Sequence, residues 1–125
     1  MDLGLSEEQR MMVDAAKKLV DKHIQPLLDS NDRDRGLPKP VILKIMAKAA
    51  ELGLTSARIP EEGGGAGLKM LDYGLIGEQM PANVALILQP HEATTTRVYF
   101  GCNEDQKKRF LEGLMAGTTI GCTAS

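Results

Sequence analysis

The sequence predicts an all-α domain of five or six helices with the start of a β-strand at its C-terminus. Three observations carry this. Apolar residues recur at helical spacing through most of the chain, Ser6 and Asn103 stand where helix N-caps belong, and β-branched residues dominate the closing stretch GTTIGCTAS.

Taken in order, the first helix opens at Ser6, which forms a capping box with Gln9: the hydroxyl accepts an orphan backbone N–H and the glutamine reaches back. Met12, Ala16, Leu19, Ile24 and Leu27 make its apolar face. Pro26 should bend or interrupt it, because proline lacks an N–H and crowds the preceding turn. The charged stretch DSNDRDRGLP is a surface linker. Pro38 and Pro40 suit the first turn of a second helix, whose apolar face holds Val41, Ile42, Ile45, Met46, Ala49 and Leu52. Gly53 followed by Leu54 stops it.

The glycine-rich loop TSARIPEEGGGAGL leads to a third helix near Lys69 to Met80, on which Gly74 and Gly77 share a side and would admit another backbone. Pro81 restarts the path. A fourth helix runs from about Asn83 to Phe100 with Val84, Leu86, Ile87 and Leu88 apolar, its continuity weakened by Pro90 and by Thr94 to Thr96. Asn103 with Gln106 caps the fifth, which carries Phe110, Leu111, Leu114 and Met115 and ends near Gly117. Thr118, Thr119, Ile120 and Thr123 then read as a strand without a partner. A lone strand leaves backbone groups unpaired, so the expectation is a helical domain over 1–117 and, over 118–125, the first strand of a missing middle β domain.

Composition narrows the function. A chain of 125 residues holds one core, here aliphatic: 2 Phe, 2 Tyr and no Trp leave little to stack on bases or sugars. The net charge of -2 is evenly spread and implies neither nucleic acid nor an anionic membrane as partner. Cys102 and Cys122, the only cysteines, argue for a reducing compartment over a disulfide framework. No basic-then-apolar leader opens the chain, and no run reaches the ~18 apolar residues of a membrane span. The expected setting is the cytoplasm, or the mitochondrial matrix for a eukaryotic form whose transit peptide has been removed.

Several apparent motifs fail on their chemistry. Gly63, Gly64, Gly65 and Gly67 resemble a phosphate cradle, yet no GK[ST] follows, and a tightly turning loop is the better reading. His91-Glu92 could begin a zinc-protease helix, but position 95 is threonine and the second ligand is absent. His23 reads as a half-buried structural histidine, Glu61 and Glu62 as a solvated pair, and the two cysteines as packing thiols. The residues alone assign no catalytic and no metal-binding role.

Four segments in order take the reading further: LSEEQR at the start, ELGL then IPEEGGGAGL after the second helix, NEDQKKRFLEGLMAG for the fifth, and IGCTAS at the end. Together they resemble the N-terminal region of acyl-CoA dehydrogenases over nearly the whole chain. The resemblance implies an orthogonal or up-down bundle that precedes a β-rich middle domain and a C-terminal helical domain, with FAD between those two. It implies α,β-desaturation of an acyl-CoA thioester by the parent enzyme, electron-transfer flavoprotein as partner, homo-oligomerisation, and a catalytic glutamate outside this chain. By alignment, Thr123, Ala124 and Ser125 correspond to the first flavin-contacting residues; the resemblance also implies that the fourth helix around Ala85, Leu86 and Gln89 supplies one wall of the acyl pocket, with Gln89 and His91 keeping polarity near its floor. The fragment alone is expected to be inactive and flavin-free. Two departures stand out: Cys102 replaces the glycine usual before NEDQ, and Gly63 stands where the family commonly has an aromatic, so a ring contact is lost. Related acyl-CoA oxidases and flavin monooxygenases share the architecture. A stand-alone helical interaction module without catalysis is the alternative.

Overall fold

The computed structural model describes residues 4–32 and 34–124. Among them run α1 (Glu7–Leu19), α2 (Gln25–Asp29), α3 (Lys39–Glu51), α4 (Met70–Gly77), α5 (Ala82–Gly101) and α6 (Glu104–Met115). Both predicted capping boxes are present, Ser6 with Gln9 and Asn103 with Gln106. Acidic pairs follow each cap, Glu7 with Glu8 and Glu104 with Asp105, where they complement the positive end of the helix dipole.

The interruption expected at Pro26 takes a defined form. Residues Val20–Ile24 make a π-helical turn in which the Gln25 N–H reaches back to the Val20 carbonyl. An ordinary turn would press the proline ring onto the carbonyl four residues earlier; the wider turn relieves that contact and lets α2 continue. The turn also keeps Val20 and Ile24 on the buried side with Ala16 and Leu19. They join Ile45, Met46, Ala49, Leu54, Val84 and Leu88 in the core.

α1 packs on α4, and the Gln9 side chain donates to the Asp72 carboxylate at 2.8 Å across that pair. α5 packs on α6, and α3 lies against the 3-10 turn Leu54–Ser56. The end of α6 sits directly on α3. Gly117 has φ 71°, and a Cβ there would lie 2.7 Å from the Met46 carbonyl oxygen, so both its conformation and its space exclude a side chain.

α5 does run unbroken through Pro90, over the span expected of the fourth helix, and each threonine hydroxyl bonds one turn back: Thr94 to the Pro90 carbonyl, Thr95 to the His91 carbonyl and Thr96 to the Glu92 carboxylate. The structure corrects several expectations. Leu52, Leu86 and Phe110, expected on apolar faces, are exposed. Residues 118–124 form no strand. The Thr118 and Thr119 N–H groups both turn back to the Gly113 carbonyl, extending the end of α6, and no second strand exists among the described residues to build a ladder.

Gly74 and Gly77 admit no neighbouring backbone: nothing lies within 4 Å of a Cβ placed on Gly74, and only the Gln89 amide comes near Gly77, at 3.9 Å. α4 is also shorter than expected, ending at Gly77. Gly74 therefore carries the entropic cost of a helical glycine without a packing reason. Gly74→Ala is expected to stabilise the fold by about 0.5–1 kcal/mol, read as a higher urea midpoint at unchanged slope. A lower midpoint would show a packing role for the glycine.

Candidate functional site

α5 is the element on which polar groups converge. His91, Glu92 and Thr95 are all fully buried on it, in register with Val84 and Leu88 on its inward face. An ionised carboxylate in such a place needs compensation, and the loop after α3 supplies it. The Arg58 guanidinium forks onto Glu92, Nε at 3.0 Å and Nη2 at 2.6 Å from Oε2. The Arg58 backbone N–H (3.1 Å) and the Thr96 hydroxyl (2.9 Å) donate to Oε1. The hydrogen bond to Glu92 raises the guanidinium above its ordinary value, against the opposing effect of burial. Tyr73 of α4 lies close enough to feel both charges. Burial, with the Glu92 charge adding, pushes its phenol up, Arg58 partly opposing, and its hydroxyl is buried without a hydrogen-bond partner among the described residues.

His91 faces the opposite neighbour. Its Nε2 lies 2.8 Å from the Leu114 carbonyl of α6, and the Gly121 N–H donates to its Nδ1 at 3.1 Å. A carbonyl can only accept, so Nε2 carries the proton and the ring is neutral. Desolvation lowers its pKa, with the Leu114 hydrogen bond and the Glu92 charge opposing. The sign follows: above about pH 6.5 both folded and unfolded forms are neutral, and as pH falls below that value the unfolded chain takes up a proton the folded chain refuses. This part of the stability is present above the unfolded pKa and lost as pH falls through the lower folded one. Urea midpoints measured at intervals below pH 7 should fall more for the wild type than for His91→Gln; equal slopes would contradict this.

The sequence-predicted site residues are not gathered into one pocket. Leu86 is exposed and lines an open groove of ≈ 560 Å³ with Leu28, Leu37, Ile42 and Ile87. Ala85 packs partly onto the core, and Gln89 is exposed beside Gly77. His91, expected near the pocket floor, is sealed between α5, α6 and the tail. Thr123 and Ala124 are exposed, the Thr123 hydroxyl accepts from the Arg97 guanidinium, and Ser125 lies outside the described residues. Neither 123 nor 124 spends its backbone N–H or carbonyl on the rest of the described chain, so both offer the donors and acceptors that a flavin ring edge takes.

The glycine loop is a tight turn. The N–H groups of Gly63, Gly64, Gly65 and Gly67 all donate to carbonyls of Ile59, Pro60 or Glu61, which leaves none for a phosphate. The ring contact expected to be lost at Gly63 is supplied from elsewhere: a Cβ on Gly63 would lie 2.5 Å from the Tyr99 ring, so α5 fills the space. Among the described residues, no group of three His, Cys, Asp or Glu side chains could hold a metal, and no helix is long and apolar enough to cross a membrane.

Sequence reasoning missed the Arg58–Glu92 pair and the two hydrogen bonds of His91. One signal was available. His91 and Thr95 continue the buried stripe of Val84 and Leu88 at seven and eleven residues from Val84, so the period places two polar residues in the core.

The family described as acyl-CoA dehydrogenase, N-terminal domain, has a model that matches residues 6–118. Among curated relatives, acryloyl-CoA reductase (NADH) from Anaerotignum propionicum is 30% identical over 99% of this chain and 31% of its own length. A probable acyl-CoA dehydrogenase from Bacillus subtilis (strain 168) is 31% identical over 95% of this chain and 20% of its own. Among solved structures, an acyl-CoA dehydrogenase complexed with FAD from Bacillus anthracis superposes with a TM-score of 0.76 at 26% identity, covering 94% of this chain and 20% of that one. The chain thus spans between 20% and 31% of the length of these curated relatives.

Proposed function

The chain belongs to the acyl-CoA dehydrogenase N-terminal domain family, and from that membership we propose that it is the helical wall of an FAD-dependent enzyme that desaturates acyl-CoA thioesters between Cα and Cβ. The observation that carries the reading is the family match over residues 6–118 together with a helical fold that superposes on a flavin-bound member. Bound FAD would supply the hydride-accepting chemistry. Thr123 and Ala124 would present backbone groups to its ring, with Ser125 following in sequence. Ala85, Leu86 and Gln89 would border the acyl chain, Leu86 from the open groove it lines with aliphatic residues on one part and Asp29, Asp32 and Arg35 on another.

The alternative of a non-catalytic module is less well supported, because the chain matches the acyl-CoA dehydrogenase N-terminal domain over residues 6–118 and its fold superposes on an FAD-complexed acyl-CoA dehydrogenase. Electron-transfer flavoprotein as acceptor, a homo-oligomer, and a cytoplasmic or mitochondrial-matrix setting complete the reading. The chain alone would be inactive, since no residue on it is assigned the role of the catalytic base.

The acyl group is uncharged in this reading. From Pro81 to Thr96 α5 and its cap carry no Lys or Arg; of the cations that approach this stretch, Arg58 is neutralised by Glu92, and Arg35, which lines the groove beside Leu86, lies 3.7 Å from Asp32. A buried substrate carboxylate would lack a partner from this wall. The full-length protein, assayed with an artificial electron acceptor, should oxidise butyryl- or octanoyl-CoA in preference to glutaryl-CoA. A glutaryl preference would overturn the specificity, and no oxidation of any acyl-CoA would overturn the function.

A further inference from the structure

Gly121 sits in a narrow notch between α5 and α6, where a larger residue would have to push two side chains aside. A Cβ there would lie 2.9 Å from both the Leu114 side chain of α6 and the Thr94 methyl of α5. Seated in that notch, its N–H meets His91 Nδ1, and three residues along α5 from Thr94 the Arg97 guanidinium holds the Thr123 hydroxyl. The tail from Gly121 to Ala124 thus leaves the helices along a line set by two α5 side chains. Of these, His91 is fully buried and joins three segments at once.

We propose that His91 is a positioning residue: held as the Nε2–H tautomer by the Leu114 carbonyl, its Nδ1 fixes Gly121 and thereby aims Thr123 and Ala124 at the flavin. The inference rests on the reading of 123 and 124 as flavin contacts. The tautomer matters because each ring nitrogen has one task. Nε2 as donor anchors the ring to α6, and only then is Nδ1 left as the acceptor the tail requires. Arg97 acts from the exposed surface, so alone it restrains Thr123 less tightly than the buried imidazole restrains Gly121.

Two substitutions divide the tasks by side-chain length. His91→Asn can keep an acceptor near the Nδ1 position and loses the reach to Leu114; His91→Gln can keep a donor near Nε2 and loses the acceptor for Gly121. On the 125-residue chain, nitrogen-15 relaxation should show residues 121–124 ordered in the wild type and in His91→Asn and loosened in His91→Gln. In the flavin-bound full-length enzyme, His91→Gln should weaken FAD binding about fivefold, the effect of one net hydrogen bond, while His91→Asn stays near wild type.

Equal behaviour of the two variants, in either direction, overturns the proposal, because a purely structural histidine would be hurt by both or by neither. Imidazole nitrogen-15 shifts of the wild type need no variant, and a charged ring or an Nδ1–H tautomer also overturns it. The premises separate cleanly. Unchanged FAD affinity in His91→Gln overturns this role alone, whereas a full-length wild type that takes up no FAD overturns it together with the functional reading beneath it.

Discussion

Arg58→Met is expected to destabilise the fold by about 3 kcal/mol, the lower part of the range for stranding one member of a buried ion pair. Glu92 is the stranded member. Its side chain is 0% exposed, whereas that of Arg58 is 31% exposed. Without the guanidinium, Glu92 keeps the Arg58 N–H and the Thr96 hydroxyl, two neutral donors for a full negative charge. Solvent reaching the exposed part of Arg58 is the reason to expect the lower end. Arg58→Lys should fall between, since an ammonium cannot reproduce the forked contact. The double variant Arg58→Met with Glu92→Met should recover most of the loss, because the cost lies in the unpaired charge more than in the absence of the pair. Urea unfolding of the wild type, Arg58→Met, Glu92→Met and the double variant closes the cycle, with Arg58→Lys measured beside them. A loss below about 1 kcal/mol for Arg58→Met would place this pair with surface salt bridges and contradict the structure.

Gly65→Ala is expected to cost about 3 kcal/mol or more, at the upper end of overpacking effects. The added Cβ would lie 2.1 Å from the Ile59 carbonyl oxygen and 2.6 Å from its carbonyl carbon. These are backbone atoms of a residue that is fully buried, so no rotamer change relieves the overlap. The shift would also pull on the Gly65 N–H bond to Pro60 and the Gly67 N–H bond to Ile59, which close the loop. Gly36→Ala is the control: nothing lies within 4 Å of its Cβ, and its midpoint should move by less than about 0.5 kcal/mol. Two equally mild variants would mean that the loop breathes enough to absorb a methyl group.

These two positions also mark where sequence reading stops. Gly65 sits in a run of three glycines, and nothing in the run distinguishes the one pressed against Ile59 from Gly64, which needs its positive φ, or from Gly63, which makes room for Tyr99. The substitution of an aromatic by Gly63 looked like a lost contact because the compensating ring lies on another element, 36 residues on by number. Glu92 looked like half of a failed metal motif; its partner Arg58 is 34 residues away. The presumed wall residues illustrate the same limit, since Ala85, Leu86 and Gln89 lie close in sequence yet meet three different surroundings.

What the sequence determined by itself were the features whose physics closes within a few residues. Ser6 with Gln9 and Asn103 with Gln106 satisfy each other's backbone across a single turn, Gly53 stops α3 through its own φ, and the spacing of Ala16, Leu19, Ile24, Ile45, Met46 and Ala49 selects the buried faces. The order of such segments was also enough to reveal the family. The tertiary structure alone decided that Pro26 would be met by a π turn, that α5 would run unbroken past Pro90, and that His91 and Glu92 would be buried with partners from distant segments. It decided as well how residues 118–121 lie against α6 and His91. A cap needs only its neighbours in the chain, whereas a buried charge, a tautomer or a strand is stable only when packing brings in a partner from elsewhere.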